Sequence, residues 1–240
     1  MSSKIRIILG CMTFGPAHSS TARVASLEDT KTIFNYFHDR GYGEIDTARV
    51  KDGQAQPATR LISVLKSPRN AILLSLAEIV TLARDHGLVR PTIYQGRYNA
   101  MSRDIEDELI PALRHYGLDL VVFSPLAGGL FSGKYTKQAD IPASGRFSPN
   151  TAQGALYRSR YFKDVYWDAI QHIQPLAEKH GLTLLEIALR WLVHHSQLKF
   201  ARGKELIGDG IIIGVSSLKH LEDNINAIEV ILYREMWLTP

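Results

Sequence analysis

The chain has 240 residues, 45% hydrophobic and 22% charged, with 18 Gly, 10 Pro and one Cys. These proportions suit a globular domain and exclude collagen-like, low-complexity and intrinsically disordered classes. A net charge of +4 without a long basic run argues against a nucleic-acid stripe and suits an anionic small molecule. The lone Cys11 excludes a disulfide framework and a Cys-rich zinc module, and is compatible with a reducing compartment. The apolar run Ile7 to Leu9 is too short for a signal-peptide core, and no run approaches the ~20 apolar residues of a membrane-spanning helix. The expected compartment is the cytosol.

In chain order, a first strand is predicted near Ile7. Ser26-Leu-Glu-Asp29 reads as a capping box, Ile33, Phe34 and Phe37 as one apolar helix face, and Gly41 as the stop. A short strand opens at Ile45 and ends near Ala48. Ser75-Leu-Ala-Glu78 is predicted to cap a second helix stopped by Gly87, followed by a strand over Pro91 to Gln95. A third helix is predicted from Asp104 to Tyr116, stopped by Gly117. The apolar run Leu118 to Ser124 then suits a strand covered on both faces. Residues 131–160 lack clear periodicity and read as a long loop. Thr183-Leu-Leu-Glu186 caps a helix through His194, His195 to Asp209 reads as a loop, and a last strand, Ile211 to Val215, feeds a helix from Leu218. Alternating helices and strands imply an α/β fold with parallel strands. Tyr94 and Phe123 lie 29 residues apart, close to the ~30 per unit of a (β/α)8 barrel.

Three segments could carry chemistry, each with a plainer reading beside it. Asp46 stands at the C-terminal end of a strand, where a parallel barrel keeps its active site, or it simply caps the next turn. Ser124-Pro-Leu-Ala-Gly-Gly129-Leu-Phe-Ser-Gly133-Lys134 could cradle a pyrophosphate on free N–H groups, or form an ordinary turn. It is neither a G-x-G-x-x-G nor a Walker loop. Gly214-Val-Ser-Ser217 leads into a helix whose N-terminus favours a phosphate, or Ser serves only as its cap. Arg158-Ser-Arg160 is an anion clamp or a solvated loop. His172, His194 and His195 lack a third ligand at metal spacing, so no metal site is expected.

Taken together, the chain resembles the aldo-keto reductase family, and most of all its aflatoxin-aldehyde reductase-like branch in the fungal form. The resemblance is carried by Leu9-Gly-Cys-Met-Thr-Phe-Gly15, Arg40 to Arg49, Arg90 to Gly96 with Tyr98-Asn99, and Ser124 to Lys134. It continues through Gly145-Arg-Phe147, Tyr157 to Tyr161, Arg190 to Gln197 and Gly214 to Asn224. These matches are collinear and cover roughly 5–50 and 75–228. The resemblance implies a (β/α)8 barrel that reduces aldehydes or ketones with NADPH, with secondary-metabolite carbonyls among the substrates a fungal origin suggests. By resemblance, Gln95 bonds the nicotinamide carboxamide and Phe123 stacks on the ring. Ser124, Leu126, Gly128 and Lys134 follow the pyrophosphate. Ser216, Ser217, His220 and Asn224 surround the 2′-phosphate and adenine. Arg146, Arg158 and Arg160 lie near the cofactor or substrate mouth. His220 stands where the branch commonly has Gln.

The family's catalytic group is Asp, Tyr, Lys and His. Only Asp46 matches it here. Lys51 occupies the expected place of the Tyr, an ammonium with an ordinary pKa near 10.4 and without the phenol's geometry. The strands that would carry the Lys, the His and the second half of the carboxamide grip are not found, and Lys66 is unanchored. Asp46 and Gln95 are 49 residues apart where four units would need about 120. About 70 residues, or two to three strand–helix units, are therefore absent, with the join within 51–75. Residues 51–74 match nothing in the family, and the final ten residues replace its usual terminal helix. The expectation is one domain, 1–240, forming an incomplete (β/α)8 barrel with five recognisable strands, near Ile7, Ile45, Ile93, Val121 and Ile212. Two functions stay open, beside a soluble α/β fragment that has neither. One is an NADPH-dependent carbonyl oxidoreductase with no nucleic-acid or membrane partner, for which a homodimer is allowed. The other is an impaired remnant or splice or gene-model variant that binds NADPH weakly or acts as an interaction partner.

Overall fold

A computed structural model describes residues 5–17, 19, 22–51, 54–57, 69–135, 145–200 and 208–229, with backbone alone at 48–51, 54–57 and 69–72. Its parallel sheet is built from β1 (Arg6–Gly10), β2 (Glu44–Asp46), β5 (Ile93–Arg97), β6 (Asp119–Phe123) and β7 (Gly210–Gly214). The order is β2-β1-β7-β6-β5, with every pair parallel. All five predicted strands are present. Taken around a barrel, this order makes them consecutive staves, and the gap falls between β2 and β5. The fold is an incomplete (β/α)8 barrel. A two-stranded antiparallel ribbon, β3 (Ala48–Lys51) with β4 (Gln54–Pro57), follows β2 and is not paired to the sheet.

The helices are α1 (Leu27–Asp39), α2 (Arg69–Asp85), α3 (Leu109–Tyr116), α4 (Ala152–Tyr161), α5 (Asp164–Lys179), α6 (Leu184–His194) and α7 (Leu218–Glu229). Ser26 Oγ accepts the Asp29 N–H at 2.9 Å, and Thr183 and Glu186 complete a reciprocal capping box. Gly41, Gly87 and Gly117 take positive φ, as their roles as helix stops require. Three expectations are corrected. Ser75 to Glu78 lies inside α2, because good helix formers continue upstream of it. α3 starts at Leu109, not Asp104: Glu106 is held by Tyr98 Oη at 2.6 Å and by Arg103, which keeps that segment in turns. The region read as a long loop, residues 131–160, opens on the end of a 3₁₀ segment, Ala127–Ser132, and closes on α4. α4 was illegible because its hydrophobic spacing is weak. It is capped by Thr151 and packed so tightly that a Cβ on Gly154 would lie 1.9 Å from the Ser148 carbonyl oxygen.

Strand residues alternate between two faces. Ile7, Leu9, Leu120, Val122, Ile211 and Ile213 face the helices and join Phe37, Leu113, Leu189 and Ile225 in the main core. Truncating one such Leu to Ala should cost ~2–5 kcal/mol. Among the described residues the inner face carries a small buried apolar cluster, Ile8, Val121 and Ile212, flanked by Ile93 and Phe123. A further core, including Phe131, Phe147, Tyr161 and Trp167, lies under the long connection. At the N-terminal ends of the strands, buried Asp209 accepts from Arg114 and from the Leu120 and Lys199 N–H groups, which ties β6, β7 and α3 together.

Candidate functional site

The predicted site residues gather at the C-terminal ends of the strands, where a barrel keeps its chemistry. The loop after β6 is the most constrained part. Ser124 and Ala127 adopt left-handed φ values of 56° and 49°, followed by Gly128 at 70° and Gly129 at 109°. Such backbone costs ~1–3 kcal/mol per non-Gly residue and needs outside support. Asn99 supplies it. Its Nδ2 donates to the Ser124 carbonyl at 2.9 Å, while its Oδ1 accepts the Met101 and Ser102 N–H groups. Gly128 is required for close packing, since a Cβ there would lie 2.6 Å from Tyr157. Leu126 is half-buried between the main core and the second one.

That loop delivers Lys134 beside the β7–α7 turn. Ser216 Oγ lies 2.9 Å from His220 Nδ1, and Ser217 Oγ accepts the His220 N–H at 3.3 Å. Burial and the Lys134 charge hold the His220 imidazole below its ordinary pKa, with Asp223 pulling the other way. Asp223 is itself bonded to Lys219 at 2.7 Å. One turn further along α7, Asn224 is 2% exposed and its Oδ1 has no hydrogen-bond partner. A buried acceptor without a donor is costly unless a ligand supplies one. Lys134, His220, two hydroxyls and a helix N-terminus are suited to a phosphate, and the orphaned Asn224 oxygen to a purine amine. Ser216 and Ser217 also border a cleft of about 150 Å³ shared with Arg23, Asp29 and Thr32.

Arg146 lies with its guanidinium 5.1 Å from the Tyr157 ring, and its Nη2 is 3.9 Å from where a Cβ on Gly214 would stand. It therefore reaches the end of β7. Arg160 is 5.8 Å from the same ring. Arg158 Nη1 donates to the Phe147 and Ser148 carbonyls at 2.7 and 2.6 Å, so it ties the connection down rather than facing outward.

At the opposite corner, Gln95 Nε2 donates to Asp46 Oδ1 at 3.0 Å. Asp46 has no Lys or Arg partner among the described residues. Its charge, after burial, pushes the Cys11 thiol up to about 11. Phe123 stands at the edge of the inner apolar cluster. Of the two lysines considered and not favoured as stand-ins, Lys51 has only its backbone described and Lys66 lies outside the described residues, as does the terminal segment 230–240. Burial raises the Tyr161 phenol despite nearby Ser124 and Arg97, and Tyr161 is fully buried, so it cannot meet a substrate.

Two residues with no assigned role emerge from the geometry. Asn99 supports the Ser124 loop, and its signal was its place in the Tyr98-Asn99 pair after a strand. Arg97 ends β5 two residues beyond Gln95 on the same face, with Asp104 at 3.8 Å. Period-two counting from Gln95 could have found it. Among the described residues no cluster of His, Cys, Asp and Glu could hold a metal ion, and no helix is long and apolar enough to cross a membrane.

The profile of the Aldo/keto reductase family matches residues 73–238, and the chain belongs to that family. It is 42% identical over 155 residues to an aldo-keto reductase of Pseudocercospora fijiensis, covering 64% of this chain and 50% of the relative. It is 42% identical over 161 residues to mouse aflatoxin B1 aldehyde reductase member 2, covering 64% and 42%. The oxidoreductase sirO of Leptosphaeria maculans is 35% identical over 208 residues, covering 86% and 55%. The chain thus spans about half the length of the curated relatives it matches. The profile match begins within α2 and continues past Asn224, where the motif resemblance ends.

Proposed function

We propose that the chain, acting as one domain, binds NADPH at the C-terminal ends of its strands as a member of a carbonyl-reducing lineage. The observation that carries this reading is the convergence of Lys134 with Ser216, Ser217 and His220, two segments separated by more than eighty residues of sequence. Lys134, Ser216, Ser217 and His220 would hold the 2′-phosphate. Asn224 would accept from the adenine amine. Ser124, Leu126 and Gly128 would line the pyrophosphate, and Phe123 and Gln95 would meet the nicotinamide. Arg146 and Arg160 would stand nearest the substrate, with Arg158 behind them. NADPH bound there supplies a hydride, and the carbonyl oxygen then needs a proton from the protein or from water. The intended substrate class is an aldehyde or ketone, in a cytosolic and fungal secondary-metabolic setting.

The bond between Asp46 and Gln95 favours the second reading, binding with little turnover. Asp46 has no described cation to activate through, and no described phenol or imidazole lies beside it as proton donor. The test is one sample used twice. NADPH binding is followed by fluorescence, then oxidation at 340 nm with 4-nitrobenzaldehyde. Saturable binding with little oxidation is expected. Absence of binding removes the cofactor assignment, and normal turnover removes the second reading.

A further inference from the structure

β2 and β5 are the two free edges of the sheet, at opposite ends of its strand order, yet the side chains of Asp46 and Gln95 meet across the gap at 3.0 Å. With bond lengths near 1.5 Å, the two side chains and the bond between them reach at most about 12 Å from Cα to Cα. One inserted strand would need ~10 Å between the edges, and three missing staves would put the edges on opposite sides of an eight-strand barrel, ~15 Å apart at ~4.8 Å per spacing and ~36° tilt. At this end the edges are therefore closer than three missing staves require. A carboxylate only accepts hydrogen bonds, so the Gln95 amide must turn its nitrogen to Asp46 and its oxygen away. Without that partner either end of the amide could face the mouth.

We infer that Asp46 is in this chain a positioning residue for Gln95, fixing its amide so that Oε1 and the second Nε2 hydrogen are offered to a primary carboxamide. This rests on the proposed contact between Gln95 and the nicotinamide. A carboxamide matches the fixed pair with one N–H and one carbonyl. A methyl ketone lacks the N–H, and a carboxylate meets both Oε1 and the Asp46 charge. The site should therefore rank carboxamide over acetyl over carboxylate on the pyridine ring.

The experiment measures dissociation constants of NADP+, its 3-acetylpyridine analogue and 2′-phospho-ADP-ribose for the wild type, Asp46→Ala and Asp46→Asn. The wild type should prefer NADP+ over the acetyl analogue by about fivefold or more, the scale of one hydrogen bond. Asp46→Ala should lose that preference. Asp46→Asn, which can still accept from Nε2, should recover part of it. Affinity for 2′-phospho-ADP-ribose, which lacks the nicotinamide, should be equal in all three. An unchanged preference in Asp46→Ala overturns the inference. Failure of 2′-phospho-ADP-ribose to bind the wild type instead overturns the cofactor reading. In that case hydrogen exchange decides the clasp. Asp46→Ala should speed exchange at β2 and β5 and leave β7 unchanged, and no difference at the two edges sinks it.

Discussion

At one corner of the mouth, Lys134 and His220 are carried by β6, β7 and their connections, strands that pair directly in the sheet. At the other, Asp46 and Gln95 stand on β2 and β5, which share no ladder among the described residues and meet through a side-chain hydrogen bond. The first corner retains cations, hydroxyls and an orphaned acceptor disposed for an anionic ligand. The second retains a carboxylate with no Lys or Arg ion-paired to it among the described residues. Each strand–helix unit positions its own C-terminal loop, so a site made by neighbouring units survives as long as those units do. A site that drew one group from each of several staves does not.

The largest effect expected of this contrast is on turnover. A missing positioned proton donor costs ~10²–10⁴-fold, or about 3–5 kcal/mol at 1.36 per decade. NADPH oxidation by the isolated chain should be depressed by at least that range, and Asp46→Asn should change the residue of activity little. Normal turnover that collapses on Asp46→Asn would erase the difference between the corners.

Next in size is the foundation below both corners. Asp209→Ala leaves Arg114 without its buried partner and should cost ~3–5 kcal/mol in a urea melt. A loss below 1 kcal/mol would mean that the strand ends are not tied there. At the phosphate corner, Lys134→Ala removes a charged contact of ~1.5–3 kcal/mol and should weaken 2′-phospho-ADP-ribose about 10- to 100-fold by calorimetry. Unchanged affinity would take Lys134 out of the site.

A pH series sharpens the same corner. His220 is held below its ordinary pKa in the free chain, and a bound phosphate raises it. Binding therefore takes up a proton, and affinity should rise as pH falls between the bound and free values, by at most about tenfold per unit. The comparison belongs above pH ~6, where the phosphate's own second ionisation does not dominate. His220→Gln should flatten the profile, and a flat wild-type profile would exclude proton uptake. The smallest effect is at Cys11. With its thiol pushed up to about 11, alkylation by iodoacetamide at neutral pH should be slow. Asp46→Asn removes the lesser of its two causes and should speed the reaction by less than tenfold. Rapid alkylation of the wild type would show an open catalytic corner.

Much of the architecture could be read from residue pattern. Short apolar runs located the five strands, and Gly41, Gly87 and Gly117 marked helix ends, because a missing Cβ has the same local consequence in any context. α4 was missed, since the packing of its Gly154 against Ser148 and of its Tyr157 against Gly128, rather than its own periodicity, holds it. The start of α3 was misplaced because Tyr98 and Arg103, outside the helix, hold Glu106. Candidate residues at the phosphate corner were named from motifs, but nothing in the motifs linked Lys134 to His220 or gave Asn99 its role under Ser124.

The sequence by itself determined the strand–helix alternation and the family, and it set the expectation that Asp46 lacks its usual partners and that units are missing before Gln95. These follow from composition, spacing and local capping, which act over a few residues. Only the tertiary structure decided that the two end strands converge until Asp46 holds Gln95 and that Arg158 is spent on backbone carbonyls. Those outcomes depend on strand order and sheet curvature, which bring together side chains far apart in the chain and are not encoded in any local pattern.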